Sequence, residues 1–236
     1  MGLSVSTRGI VLTALCAALY AAVGYLLWLG AQGPGGIMFW PAVIVPAVFS
    51  IVFSPWIGGA GAAIGIFIAD VTYHHVNPLQ SLIVGVPANF LGFYILGYVA
   101  RRAGDTKTCR ILAIAIQFVP LLILVVGYLL NYVDTTTFVI YFVTALIVTI
   151  AIPIQSIRKV YVPANQLLAY ALGLLVGALY IGLTLWPIQK LLNIATLPSF
   201  APAFFGYFLW VYYTEIPFLN LVTPYIVKAI EKRYGG

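Results

Sequence analysis

The stretch RGIVLTALCAALYAAVGYLLWLG, residues 8–30, decides the fold class. From Ile10 to Leu29 it carries no charge, and about 20 such residues wound as a helix cross a hydrocarbon core of roughly 30 Å. Arg8 ahead of an apolar run would also open a secretory signal. The apolar part of such a signal is only about 7–15 residues long, however, and further apolar runs follow here, so the segment reads as a retained helix. The whole chain agrees: of 236 residues, 63% are hydrophobic and 7% charged, with mean hydropathy +1.08, against roughly 45–50% apolar and 25% charged in soluble domains. Water is not the main solvent of this protein.

Seven more apolar runs follow, separated by Gly, Pro, Asn or charge: Ile37 to Phe53, Trp56 to Tyr73, Leu79 to Ala100, Ile111 to Asn131, Thr136 to Ile157, Ala164 to Trp186 and Ala203 to Lys228. The expected fold is an all-α membrane protein, a polytopic bundle of about seven or eight transmembrane helices forming one domain over residues 1–236. The second and third runs are short and joined only by Ser54 and Pro55, so they either span or form a re-entrant hairpin. Pro41, Pro46, Pro87, Pro120, Pro153 and Pro217 fall in or near the runs, where each removes a backbone donor and tends to kink its helix.

The net charge of +6, from eleven Lys and Arg against five Asp and Glu, is distributed as a topology signal. The cations lie at gaps and ends of apolar runs and form no stripe of the kind that binds nucleic acid. With the N-terminus inside, ten of the eleven fall on the cytoplasmic side, in Arg101 to Arg110, Arg158 with Lys159, Lys228 to Arg233 and at Arg8; only Lys190 falls outside. An even number of crossings therefore satisfies the positive-inside rule and places both termini in the cytoplasm of a cell-membrane protein. Cys16 and Cys109 show neither CxxC nor zinc spacing with His, so no disulfide or Cys-based metal site is expected.

Lipid tails supply no hydrophobic force between helices, so close packing relies on small residues. Gly58, Gly61, Ala62, Gly65 and Ala69 in the third run, and Ala169, Gly173 and Gly177 in the seventh, read as internal packing faces. Ala14, Ala18 and Ala22, with Ala17 and Ala21 beside them, fit either internal packing or docking of an outside partner.

An acid in a membrane costs about 2.5–3.5 kcal/mol at a helix centre, so those present are functional candidates. Asp70 lies near the outer end of the third run, followed by Tyr73, His74, His75 and Asn77; Glu215 lies within the eighth, between Tyr213 and Pro217. Asn89 and Gln32 are polar groups able to face the same side. Asp70 and His74 share a helix face and with His75 are compatible with a metal, but three such residues at a helix end are equally served by local hydrogen bonds and a headgroup position, and no metal or other cofactor is expected. Phe39, Trp40, Tyr73, Tyr207, Trp210 and Tyr213 either line an outward pocket for a planar ligand or belong to the aromatic belts at the membrane surface. The chain contains no HExxH, no GxxxxGK[ST], no suitably placed GxSxG and no acidic cluster, so no enzyme is expected.

The stretch FSPWIGGAGAAIGIFIAD, residues 53–70, resembles the second-to-third helix turn of the substrate-binding S components of energy-coupling-factor (ECF) transporters. The Ala14, Ala18, Ala22 stripe is similar to the motif with which that family docks its transmembrane coupling subunit. The outer loop Gly33-Pro34-Gly35-Gly36 and the basic loop after the fourth run extend the resemblance over about residues 8–110, leaving residues 111–236 as further helices beyond the six usual in the family. The resemblance implies an uptake module for a vitamin or related micronutrient, with a coupling subunit and two ATPases as partners. On that expectation Asp70 and Asn89 bond the ligand, Trp40 and Tyr73 stack on it, and His74 and Glu215 complete the pocket. The cobalt and nickel members carry an N-terminal Met-His pair where this chain has Met1-Gly2, which disfavours that branch. Two other classes stand beside it: a self-sufficient secondary transporter with Glu215 or Asp70 carrying a proton, and a structural or assembly membrane protein without a small ligand.

Overall fold

A computed structural model describes residues 6–27, 31–157 and 162–234. Arg158 and Lys159, and the end of the first apolar run, lie outside the described residues. The described chain is an all-α membrane bundle, with one isolated bridge between Gln32 and Met38. Its helices are α1 (Thr7–Leu27), α2 (Ile44–Val52, entered through a 3-10 turn Pro41–Val43), α3 (Pro55–Thr72), α4 (Pro78–Arg102), α5 (Lys107–Leu129), α6 (Thr135–Ile157), α7 (Ala164–Leu191), α8 (Phe200–Leu221) and α9 (Thr223–Tyr234). Five of these, α1, α3, α4, α5 and α7, are long and apolar enough to cross a membrane; the stretches 41–52 and 135–151 are shorter apolar helices.

Local chemistry sets the boundaries. Ser54 caps α3 by accepting from the Trp56 amide at 3.2 Å, with Pro55 in its first turn, where the missing N–H has no partner to lose. Thr106 caps α5 through the Cys109 amide at 3.1 Å. Asp134 caps α6 through the amides of Thr136 and Thr137 and the Thr137 hydroxyl; the hydroxyl bond, first among these, holds the carboxyl below its usual range.

Two expected segments are corrected. The second is not helical from Ile37: residues 37–40 are extended, and the helix begins only at Pro41. The run from Ala203 to Lys228 is broken at Val222 into α8 and α9. Phe218 accepts from the Val222 amide and the Thr223 hydroxyl, and the basic α9 then packs on α2.

Glycine sets how closely the helices approach. α3 lies against α1 where Gly61 meets Cys16 and Gly65 meets the Ala17 carbonyl; a Cβ on either would come within 2.6 or 2.7 Å of those atoms. α4 crosses α7 where a Cβ on Gly173 would lie 2.6 Å from the Gly92 carbonyl oxygen. The small faces read in the third and seventh runs are thus internal seams, with Gly92 an additional member. Ala14, Ala18 and Ala22 face outward, while Cys16, Ala17, Tyr20 and Ala21 of the same helix are buried. The exposed flanks of α5 and α6, including Leu122, Leu129, Ile140 and Ile147, are apolar, as a lipid-facing surface requires.

The described cations sort toward one end of the bundle. Arg101 donates to the Ile51 carbonyl at 3.0 Å, Arg110 to that of Val162 at 3.3 Å, and Asp105 accepts from the Ala164 amide at 2.8 Å. Lys190 lies in the last turn of α7, at the other end, 5.4 Å from the Trp186 ring.

Gly173→Leu should therefore cost about 1–3 kcal/mol or more through overpacking of the α4–α7 seam, read as lower thermal stability and loss of the monodisperse peak in detergent. Ile147→Ala on the lipid face should leave both near the wild type.

Candidate functional site

The helices enclose a cavity of about 140 Å³, measured to the centres of water-sized molecules. Its walls come from α1, the 35–40 segment, the α3–α4 junction, α7 and α8. It runs from Gly35, Gly36 and Gln80 at the Lys190 end of the bundle to Leu96, Leu174 and Leu219 deeper down.

The extended segment forms the rim. Backbone that leaves a helix at membrane depth needs every polar group satisfied by protein or by a water-filled cavity. Gly33 donates to the Ile37 carbonyl at 2.8 Å and Phe39 to that of Ala31 at 3.0 Å. From α8 the Trp210 indole donates to the Met38 carbonyl at 3.4 Å. The Tyr207 hydroxyl donates to Gln189 Oε1 at 2.8 Å, and Gln189 Nε2 donates to the Gly35 carbonyl at 3.3 Å. Gly35 and Gly36 have φ of +66° and +79°, the left-handed region that glycine adopts without strain. A Cβ on Gly35 would also meet the Tyr207 ring at 2.4 Å.

The wall from α3 and α4 carries the polar groups. Residues 81–85 of α4 form a π turn, a local widening often found at functional positions. It brings Ser81 to Asp70, whose Oδ2 accepts from the Ser81 hydroxyl at 2.6 Å. His74 Nδ1 lies 3.5 Å from Asp70 Oδ1, and its ring meets Trp40 edge to face at 5.0 Å. Asn89, one turn beyond, donates to the Gly85 carbonyl at 2.9 Å and accepts from the Tyr20 hydroxyl at 2.7 Å, which leaves one amide hydrogen for another acceptor.

Of the residues singled out from the sequence, Trp40, Asp70, His74, Asn89 and Glu215 all line this one cavity. Tyr73 stands outside the lining: its hydroxyl donates to the Ala21 carbonyl at 2.5 Å, and its ring packs on Tyr25 at 5.2 Å. His75 is exposed with φ +54°, so the His pair is split between cavity and surface. Gln32 is exposed beside its bridge to Met38. Tyr207 and Trp210 hold the rim from behind, Tyr213 is stacked on Tyr141 at 5.2 Å, and Phe39 packs on Phe218 at 5.7 Å. Among the described residues no group of three or more His, Cys, Asp or Glu is placed to hold a metal.

Sequence reasoning missed Tyr20, Ser81 and Phe93 as cavity residues, and it read Gly173 and Gly177 only as packing positions although they also line the cavity. Tyr20 had a usable signal, since it lies on the face of α1 opposite the Ala14, Ala18, Ala22 stripe. Ser81 had none, because its position depends on the π turn. Compared with known protein families, characterised proteins and solved structures, the chain shows no match.

Tyr20→Phe keeps the ring but strips Asn89 Oδ1 of its donor in a part-buried setting, which should cost about 1–3 kcal/mol. The expected readout is a lower unfolding midpoint in detergent, whereas exposed Tyr25→Phe should have no effect.

Proposed function

We propose that this chain is the membrane-embedded binding module of an uptake system for a small molecule, of the vitamin or micronutrient class, driven by an ATP-hydrolysing coupling complex of ECF type. The observation that carries the proposal is the convergence of Trp40, Asp70, His74, Asn89 and Glu215, drawn from four separate parts of the chain, on one cavity. Few polar groups in an otherwise apolar concavity is the usual make-up of a small-molecule site. The exposed Ala14, Ala18 and Ala22 suit close docking of another membrane helix. The cation-rich end would face the cytoplasm of a cell membrane, with the cavity on the outer side and both termini inside. A mostly apolar cavity on which a few polar side chains converge weighs against a purely structural role.

One observation favours a second reading. Glu215 lines the cavity at membrane depth, and an ionisable residue so placed also suits a proton-coupled secondary transporter. That reading requires gradient-driven uptake in liposomes containing this chain alone, without ATP.

Affinity purification of the tagged chain from its native membrane in mild detergent should recover a membrane coupling subunit and two ATPases. Ala14→Leu combined with Ala18→Leu should lose those partners. Recovery of the wild-type chain alone, from membranes shown to contain the subunits, would overturn the ECF reading. For small molecules retained through purification, Asp70→Ala should abolish binding while membrane insertion and elution profile persist; unchanged retention would remove Asp70 from the site.

A further inference from the structure

We infer that the cavity selects an organic cation, a ligand whose protonated amine or quaternary ammonium group is held by Glu215. This deepens the binding reading above and rests on it. The chain has only five acids, yet both Asp70 and Glu215 line this cavity, and none of the described Lys or Arg residues does. A buried wall with two carboxyls and no cation attracts positive charge and repels anions, and the low dielectric of a membrane bundle strengthens both effects.

The two acids are not equivalent. Asp70 already accepts from Ser81 and neighbours His74. Glu215 has no hydrogen bond or ion pair to any other described residue, and it faces the cavity. A lone carboxyl at this depth is costly to keep unpaired, and the missing partner is what a cationic ligand would supply. Both carboxyls line the one cavity, so one ligand can feel the two together.

The rings beside them supply a second, independent preference. Tyr20 meets Trp40 edge to face at 5.7 Å and Phe93 at 6.1 Å, and all three line the cavity. Mutually tilted aromatic rings around an acid form the surroundings in which ammonium groups bind, through the negative potential of the ring faces. Trp40 is 4% exposed and belongs to the cavity wall, so its ring is available there. An inorganic cation fits this lining less well, because hard metal ions take six or more oxygen ligands while most of the wall here is apolar.

The test is a matched series on the purified full-length chain in detergent: phenethylamine, phenylacetamide and phenylacetate, titrated at neutral pH by calorimetry. They share a ring and differ chiefly in charge. The amine should bind at least ~10-fold more tightly than the amide, and the acid least. Glu215→Gln, which keeps the side-chain shape, should bring the amine to within ~3-fold of the amide and leave amide binding unchanged. Asp70→Asn should reduce the preference less. If the Gln variant does not fold, the wild-type ranking still decides. Amide or acid binding as tightly as the amine would overturn the cation assignment while leaving a ligand-binding cavity in place. An amine preference that survives both substitutions would also overturn it. No binding by any of the three up to their solubility would remove the cation assignment and the binding reading together.

Discussion

Hydrocarbon offers no partner to a peptide group, so every N–H and C=O at membrane depth has to find one within the protein or in an enclosed polar space. Among the described helices, the five long and apolar enough to cross a membrane close their backbone bonds along their own length. The approach to α2 differs: residues 31–40 form no α-helix, passing through a 3-10 turn at Pro34–Gly36 and an isolated bridge between Gln32 and Met38 before the 3-10 turn at Pro41. That irregular stretch is tenable only because Ala31, Ile37, Gln189 and Trp210 satisfy its groups. Gly35, Gly36, Ile37, Met38 and Trp40 of this stretch border the gap between the helices that is the cavity.

Around that gap, the bundle closes by removing side chains. The α1–α3 and α4–α7 seams are glycine contacts: Gly65 and Gly173 face backbone carbonyls and Gly61 the Cys16 side chain, so the helices approach closely. The α4–α7 seam also serves the cavity: Gly92, Gly173 and Gly177 lie on its wall, as does Gly85. Small residues therefore pull the helices together at one level and leave room between them at another. Asp70 illustrates how narrow the fit is, since a Cβ on Gly85 would lie 3.0 Å from its Oδ2.

Periodicity and length in the sequence carried most of the helix boundaries, because an apolar run flanked by Gly, Pro or charge has few alternatives in a membrane. The start of α2 was not legible: Ile37 to Trp40 is as apolar as a helix, and only the rim bonds from Gln189 and Trp210 show that it is extended. The break at Val222 was equally hidden in an apolar run. Among the site residues, Asp70, Asn89 and Glu215 stood out by chemistry alone, as polar groups in apolar helices. Aromatics did not separate by that test. Trp40 lines the cavity, whereas Tyr73, Trp210 and Tyr213 look alike in sequence and face elsewhere, since their roles depend on rotation about helices whose every side is apolar. Ser81 became visible only through the π turn that turns it toward Asp70.

The bonds from α8 to the rim have a mechanical meaning. Trp210 holds Met38, and Tyr207 braces Gly35 through Gln189; Glu215 sits on the same helix, little more than one turn beyond Trp210. α8 is thus a single lever with the entrance tied at one point and the deep acid fixed at another. A shift of this helix would carry the residues that brace the rim and the acid on the cavity wall together.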